Sequence, residues 1–136
     1  MTTCTKGKSE ILTKNFKSTE LDCKGNGCCS KTPIDIELVG YLQVIRNHFG
    51  KPVSINSGYR CQKHNKNVGG VTNSKHCVGK AADIVVKGVK PKEVAKFAET
   101  IGICGIGLYD SFVHIDTRTS KSYWQGHKQA YVKTFK

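Results

Sequence analysis

A loop rich in small residues passes directly into a β-branched strand within one segment, Ser74-Lys-His-Cys-Val-Gly-Lys-Ala-Ala-Asp-Ile-Val-Val86. The run Ala82–Val86 predicts a strand because it is apolar and β-branched. His76 precedes Asp83 by seven residues, with Gly79 and two alanines between them. If His76 lies on the loop and Asp83 on the strand, these small residues let the backbone turn back sharply. An imidazole nitrogen and a carboxylate oxygen could then converge on one ion.

A second segment, Phe112-Val-His-Ile-Asp116, places another candidate ligand, His114, within a predicted strand. Taken singly, each of these residues has an ordinary structural explanation, such as a hydrogen-bonded histidine in a strand. Together, His76, Asp83 and His114 would supply two imidazoles and one carboxylate. That set, with the fourth position left to water, is a common catalytic zinc arrangement, whereas a structural site would use a fourth protein ligand.

Apolar periodicity places helices and short strands around these segments. The predicted helices are Asp35–Phe49, which ends before Gly50, and Pro91–Ile101. The predicted strands are Val53–Asn56, Ala82–Val86, Gly105–Tyr109 and Phe112–Asp116, with a tight turn at 110–111. Residues 58–75 are predicted to be mostly irregular. Because helices and strands intermix without regular alternation, we predict an α+β fold with a small antiparallel sheet and helices packed on one side.

The chain of 136 residues fits one domain with a single core. Residues 1–32 are polar and contain cysteines in a loop-like run, so we predict an N-terminal extension there and the main domain at 33–136. No run of about 18 apolar residues occurs, which excludes a membrane-spanning helix. The amino terminus lacks the apolar stretch of a secretory signal, so we expect cytoplasmic synthesis and no membrane insertion.

The formal net charge of +12 predicts attraction to a polyanion. The lysines are spread along the whole chain, which favours a diffuse electrostatic anchor over base-specific readout. The sequence has no RNA-binding signature, zinc-finger spacing or obvious recognition helix, so nucleic acid is not the expected partner. An anionic cell-wall polymer is the other candidate, and charge alone does not separate the two.

Seven cysteines are many for this length, and the odd number leaves at least one unpaired. Without a secretory signal, mostly free thiols in a reducing cytoplasm are expected. Cys23, Cys28 and Cys29 cluster near the start and raise the alternative of a second metal site. That alternative lacks the usual pair of cysteines two residues apart.

The pattern Ser74-x-His76-x-x-Gly79-x-Ala81-x-Asp83, followed by His114, resembles the bacterial zinc D-Ala-D-Ala carboxypeptidase and L-alanyl-D-glutamate endopeptidase family. This family shares its metal-site fold with hedgehog signalling domains. The segment Ser57-Gly-Tyr-Arg60 resembles the one that precedes the first ligand there, and the resemblance runs from about Val53 to Trp124. It implies Zn²⁺ bound by His76, Asp83 and His114, and hydrolysis of peptidoglycan stem peptides. We expect a monomer. Synthesis without a signal peptide further suggests an endolysin-like member of phage or prophage origin.

The resemblance does not identify the general base. Much of the family has Glu or Asp three residues before the last histidine ligand, where this chain has Ser111. Asp116 is our first candidate for the base, because residues two apart on a strand share a face, and Asp110 at the turn is the second. In a hedgehog-like register, Asp116 would instead be the third ligand and Asp110 the base. The missing carboxylate also leaves open a non-catalytic, zinc-containing wall-binding module.

Other residues of the resembling segments have expected roles around the metal. The Arg60 guanidinium would stabilise the oxyanion or hold a substrate carboxylate. Ser74 would orient His76 through a hydrogen bond. Tyr59 and Trp124 would line the substrate pocket.

Overall fold

The computed structural model describes residues 1–136 and contains ten strands and three α-helices. In chain order the elements are β1 (Thr2–Thr5), β2 (Ile11–Thr13), β3 (Phe16–Lys17), β4 (Lys31–Ile34), α1 (Ile36–Phe49), β5 (Val53–Ser57), α2 (Gln62–Asn67), β6 (Ala81–Val86), α3 (Pro91–Thr100), β7 (Gly105–Leu108), β8 (Val113–Asp116), β9 (Ser122–Gln125) and β10 (Ala130–Val132). Short 3-10 turns occupy Ser18–Leu21 and Lys75–Val78. Every helix and strand predicted from periodicity is present, to within two residues at each end.

The main sheet has six strands in the order β10-β9-β7-β8-β6-β5. Its neighbours run antiparallel except for β7 and β9, which are parallel. This pair is parallel because the chain leaves β8, crosses to the far side of β7 and enters β9 beside Gly105. Two small two-stranded sheets, β1 with β4 and β2 with β3, complete the α+β fold that the sequence predicts.

Alternate strand residues point to opposite sides of the main sheet, so one face packs into the core and the other carries the candidate metal ligands. One face contributes Ile84, Ile106 and Ile115 to a core that α1 and α3 cover. Burying each such side chain contributes about 1.5–3 kcal/mol. The opposite face carries Asp83 directly across from His114, and this row continues through Gly107 to Trp124 on β9. The core therefore fixes which side chains meet on the other face.

Residues 1–32 pack into the same core and do not form a separate extension. Strand β1 pairs with β4 immediately before α1. Phe16 and Leu21 are almost fully buried and belong to the single apolar cluster of the molecule. The expected boundary after residue 32 therefore does not coincide with a break in packing.

The segment 58–75, expected to be mostly irregular, contains the short helix α2. Its residues are all polar, so apolar periodicity could not predict this helix. Cys61 caps its start, with the Sγ atom accepting from the His64 backbone N–H at 3.4 Å. None of the helices has the length and apolar content needed to cross a bilayer.

Asp35 stabilises the fold in two ways: it caps the start of α1 and it binds Thr117, which follows β8. Its Oδ1 accepts from the Glu37 backbone N–H at 2.9 Å, and its Oδ2 accepts from the Thr117 hydroxyl at 2.7 Å. We expect Asp35→Ala to lower the free energy of unfolding by about 1–2 kcal/mol, as for other lost N-caps. Urea denaturation measures this loss. Asp35→Asn is the matched control and should recover most of it, since asparagine also caps well; equal losses in both variants would contradict the cap as the cause.

Candidate metal centre

Three side-chain atoms converge on the face of the main sheet opposite the helical core. His76 Nε2 lies 3.2 Å from Asp83 Oδ1, and His114 Nδ1 lies 3.0 Å from the same oxygen. All three donor atoms lie within 4.8 Å of one another. His76 and His114 are buried, and Asp83 is only slightly exposed. The structure thus brings together the three residues expected from the sequence to bind a metal.

The backbone around His76 is shaped to aim its ring at Asp83. Ser74 caps the 3-10 turn, its hydroxyl accepting from the His76 backbone N–H at 3.2 Å. Ser74 thus positions the His76 backbone, while the ring is oriented by Gly58, whose carbonyl oxygen lies 2.7 Å from Nδ1. Gly79 ends the turn with a left-handed φ of 73° and lies so close to the Pro33 carbonyl that a side chain would collide with it. Glycine is therefore required where the chain turns back into β6.

His114 is held from behind by a buried ion pair. Its Nε2 lies 2.7 Å from Asp116 Oδ2, on the side of the ring away from Asp83. Asp116 is fully buried, and the Arg118 guanidinium binds both of its oxygens at 2.7 and 2.8 Å. Gly105 makes room for this carboxylate, because a side chain there would overlap it. Asp116 therefore orients His114.

The charges in the cluster follow from these contacts. Burial opposes ionisation of Asp83, but hydrogen bonds from His114 and His76 hold the pKa of its carboxyl well below its usual range. For Asp116, burial is likewise outweighed by His114 and Arg118, which lower the pKa of that carboxyl. Burial lowers the pKa of His76, which favours its neutral form. Burial also opposes protonation of His114, but its two carboxylate neighbours raise the pKa of this imidazole.

The hydrogen bonds on the far side of each ring test whether these residues suit a metal. Carbonyl and carboxylate oxygens only accept, so in the neutral imidazoles that bind a metal the proton lies on His76 Nδ1 and on His114 Nε2. The nitrogens that face Asp83 then present lone pairs to a carboxylate oxygen, a repulsive arrangement unless a cation lies between them. Ligands about 2.0–2.2 Å from a tetrahedral zinc lie about 3.3–3.6 Å apart, slightly more than the 3.2 and 3.0 Å that separate the two nitrogens from Asp83 Oδ1. The donor set therefore fits Zn²⁺.

Arg60 lies beside this cluster. Its Nη2 is 3.8 Å from Asp83 Oδ2, and its Nη1 donates to the Asn65 side chain at 3.0 Å. Its buried Nε–H has no partner. Gly70 lets the loop pass over Arg60 and Asn65, since a side chain there would overlap both. The guanidinium is held in place beside Asp83 with donor capacity to spare.

An aromatic wall closes the other side of a cleft of about 550 Å³. The Trp124 ring centroid lies 5.2 Å from that of His114, and its indole N–H donates to the Tyr109 hydroxyl at 2.9 Å. Tyr109 in turn stacks on Phe112 with centroids 4.4 Å apart. Gly107 leaves the space that the Trp124 ring occupies. Trp124 thus lines the cleft as the sequence predicts.

Three expected site residues lie elsewhere. Asp116 is placed behind His114 and faces away from Asp83, so it does not fit the expected role of general base or the alternative role of third ligand. Asp110 is exposed on the β7–β8 turn and does not line the cleft. Tyr59 does not line it either and lies towards a group of cysteines.

Four residues that shape this site escaped the sequence analysis: Gly58, Arg118, Tyr109 and His127. Gly58 acts through its backbone carbonyl, for which side-chain identity gives no signal. Arg118 follows Asp116 by two residues, and that spacing could have suggested the pair. His127 lies exposed at the rim of the cleft, near Tyr109, in a turn whose composition is unremarkable.

Comparison with known proteins agrees with this geometry. The sequence profile of the peptidase M15 family matches residues 14–116. A stretch of 44 residues is 48% identical to part of the zinc D-Ala-D-Ala carboxypeptidase of Streptomyces albus G. That stretch covers 32% of this chain and 17% of the relative, so the chain matches less than a fifth of the relative's length. Because the profile covers most of the chain, including His76, Asp83 and His114, the chain belongs to the peptidase M15 family.

Proposed function

We propose that this protein is a zinc-dependent peptidase that hydrolyses the stem peptides of bacterial peptidoglycan. The observation that carries the proposal is the convergence of His76 Nε2, Asp83 Oδ1 and His114 Nδ1 at the floor of a cleft. The other nitrogen of each imidazole is already occupied. Support for the substrate class comes from the relative in Streptomyces albus G, which is named a zinc D-Ala-D-Ala carboxypeptidase.

His76, Asp83 and His114 would hold the zinc and leave a position open. The chemistry that zinc supplies in such sites is polarisation of the scissile carbonyl and acidification of a water molecule. The protein's own contribution is orientation. Gly58 and Asp116 fix the two rings, and removing such supporting contacts commonly weakens metal affinity 10- to 100-fold.

The charges of the cleft favour an anionic peptide. Arg60, Lys75 and Arg118 line it, whereas Asp83 is the one carboxylate among its lining residues. Peptidoglycan stem peptides carry free carboxylates, and a guanidinium recognises such groups with a planar fork of donors. Arg60, beside Asp83, is placed to hold either a substrate carboxylate or the oxygen on which negative charge develops. The Trp124 wall would support the peptide on the opposite side.

Proton transfer needs a group in the cleft that is not a ligand. With Asp116 facing away from Asp83 and Asp110 outside the cleft, no second carboxylate lines it. His127, at the rim beside Tyr109, is our candidate, because imidazole is the commonest general acid or base in enzymes. The lack of a second carboxylate also favours the alternative of a zinc-containing module that binds the wall without cleaving it.

The scissile bond within the stem peptide is part of the proposal. Both a D,D-carboxypeptidase and an L-alanyl-D-glutamate endopeptidase, acting in an endolysin-like manner on whole walls, are consistent with an anionic substrate. Mass spectrometry of products from defined muropeptides separates them. Release of free D-Ala supports the first and cleavage after L-Ala the second, whereas no product from any muropeptide supports the binding module.

The first prediction about the proposed function concerns the ligands. Each single replacement of a ligand by alanine should remove one equivalent of zinc per chain relative to the unchanged protein. It should also abolish hydrolysis of muropeptides. The three variants are His76→Ala, Asp83→Ala and His114→Ala. The reason is that two remaining ligands hold zinc much more weakly than three. Elemental analysis after dialysis measures the zinc. His48→Ala is the control, because His48 stacks on Phe97 away from the cleft and should leave zinc and hydrolysis unchanged. Unaltered zinc in all three ligand variants would refute the assignment.

The second prediction separates orientation from proton transfer. Asp116→Asn should weaken zinc binding about 10- to 100-fold, because an amide has one acceptor oxygen and cannot both accept from His114 and pair with Arg118 as the carboxylate does. His127→Ala should keep its zinc and lose on the order of 10²- to 10⁴-fold in kcat, the usual contribution of a general acid or base. Zinc affinity is measured by competition with a chromophoric chelator. If Asp116→Asn keeps full zinc affinity and loses hydrolysis, Asp116 is the base after all.

The third prediction concerns the net charge of +12. We propose that the lysines retain the enzyme near anionic wall polymers, an attraction screened over a Debye length of about 8 Å at physiological salt. Activity on intact walls should therefore fall steeply as sodium chloride rises, while activity on a short soluble muropeptide changes little. Rates on both substrates across a salt series test this. Equal salt sensitivity on the two substrates would exclude the anchoring role.

A further inference from the structure

Four cysteine thiols gather away from the cleft, although their positions are scattered in the sequence. They are Cys23, Cys28, Cys29 and Cys61, and all four sulfur atoms lie within 4.8 Å of one another. Cys23 Sγ lies 3.7 Å from Cys28 Sγ and 3.9 Å from Cys61 Sγ, and Cys28 Sγ lies 4.0 Å from Cys29 Sγ. Cys23 and Cys61 are buried, and the other two are half-buried.

These distances match a single tetrahedral metal ion. Thiolates about 2.3 Å from zinc at the corners of a tetrahedron are separated by about 3.8 Å. Two disulfides would instead bring the sulfurs together in pairs, at about 2.05 Å within each pair. An iron–sulfur cluster holds its own iron and sulfide atoms between the cysteines, and so needs more room than these four thiols leave. The spacing therefore fits a single ion, for which Zn²⁺ is the usual occupant of a tetrahedral four-thiolate site in proteins.

The surroundings offset the negative charge that four thiolates bring. The His64 backbone N–H donates to Cys61 Sγ at 3.4 Å. The Lys6 ammonium lies 3.9 Å from Cys29 Sγ and donates to the Gly25 carbonyl at 2.6 Å, closing the cysteine loop over the thiols. Gly25 packs so tightly that a side chain there would overlap Cys28 Sγ. This loop is thus shaped around the cluster and held by a cation.

We propose that Cys23, Cys28, Cys29 and Cys61 bind a second, structural Zn²⁺ ion. With four protein ligands the site has no open position and supports no hydrolysis of its own. The proposal concerns other residues than the candidate metal centre and stands or falls independently of the proposed peptidase activity.

The ion would join two parts of the chain that shape the cleft. Three ligands lie on the loop before β4, and the fourth directly follows Arg60. The Tyr59 backbone N–H donates to the Leu21 carbonyl at 2.9 Å, so the two segments already lie side by side. Gly58, which orients His76, lies on the same segment as Cys61. A zinc at the thiols would therefore position Gly58 and Arg60, acting on the cleft through the backbone.

The decisive experiment counts metal in a background without the first site. The double variant His76→Ala/His114→Ala of the full chain, expressed with zinc and purified without chelator, should retain one zinc per chain. Adding Cys23→Ser or Cys61→Ser should remove it, whereas adding Cys104→Ser, a cysteine outside the cluster, should leave it. Zinc absent from the double variant, zinc unaffected by the cluster substitutions, or iron in its place would each overturn the proposal.

A measurement on the unchanged chain guards against variants that fail to fold. Replacing zinc by cobalt(II) should give intense visible absorption and a sulfur-to-cobalt charge-transfer band in the near ultraviolet, which a site of two histidines and one aspartate does not produce. The protein unfolded without reductant, in the presence of a chelator, should then titrate as seven free thiols. Absence of the charge-transfer band, or a titration of five or three thiols, would show that the cluster forms disulfides or no metal site.

Discussion

The cross-strand register between β6 and β8 is the constraint on which the rest of the site depends. It places Asp83 directly opposite His114, while their neighbours Ala82 and Ile115 face the helices. A slip of one residue would turn the apolar side chains outwards and the two ligands into the core. Because burial of each aliphatic side chain contributes about 1.5–3 kcal/mol, the core fixes the register strongly. The geometry of the site is thus a consequence of apolar packing on the other face.

Buried charge is tolerated on this face because each charge has partners. Asp116 is fully buried, yet it receives two hydrogen bonds from the Arg118 side chain and one from His114. Removing one member of such a buried pair typically costs about 3–5 kcal/mol, since the other charge is left unpaired. Asp83 differs, because two imidazole nitrogens converge on its Oδ1 and, when both imidazoles are neutral as in a metal site, present lone pairs to it. That imbalance is what a bound cation corrects, and it distinguishes the candidate metal centre from an ordinary buried ion pair.

The sequence predicted those parts of the structure in which local pattern and tertiary contact agree. Helices α1 and α3 have clear apolar periodicity, and Asp35 and Pro91 mark where they begin. The short spacing between His76 and Asp83 also keeps these two residues close together. His114 and Asp116 do lie on the same face of β8, as their spacing predicts. The spacing did not predict that Asp116 contacts Nε2, because two residues on one face can meet at either nitrogen of the imidazole ring. That choice depends on Arg118, which draws the carboxylate behind the ring, and on Gly105, which gives it space.

Other features were hidden because their partners are distant in sequence or act through the backbone. The polar segment 1–32 gave no periodicity, although Phe16 and Leu21 complete the core. Cys61 gave no sign of joining Cys23, since 38 residues separate them and only the fold brings them together.

The segment Ser57-Gly-Tyr-Arg-Cys61 shows how one short stretch connects both groups of candidate ligands. Gly58 approaches Leu21 so closely that any side chain would overlap its backbone, and this proximity directs the Gly58 carbonyl to His76. One residue later the backbone is pinned to the same leucine, and the next side chain, Arg60, turns towards Asp83. Cys61 then faces the thiols. Because consecutive residues serve the two groups alternately, a displacement of this backbone at the thiols would be transmitted to the orientation of His76. The packing of the four thiols and the orientation of His76 are therefore coupled through the backbone of residues 58–61.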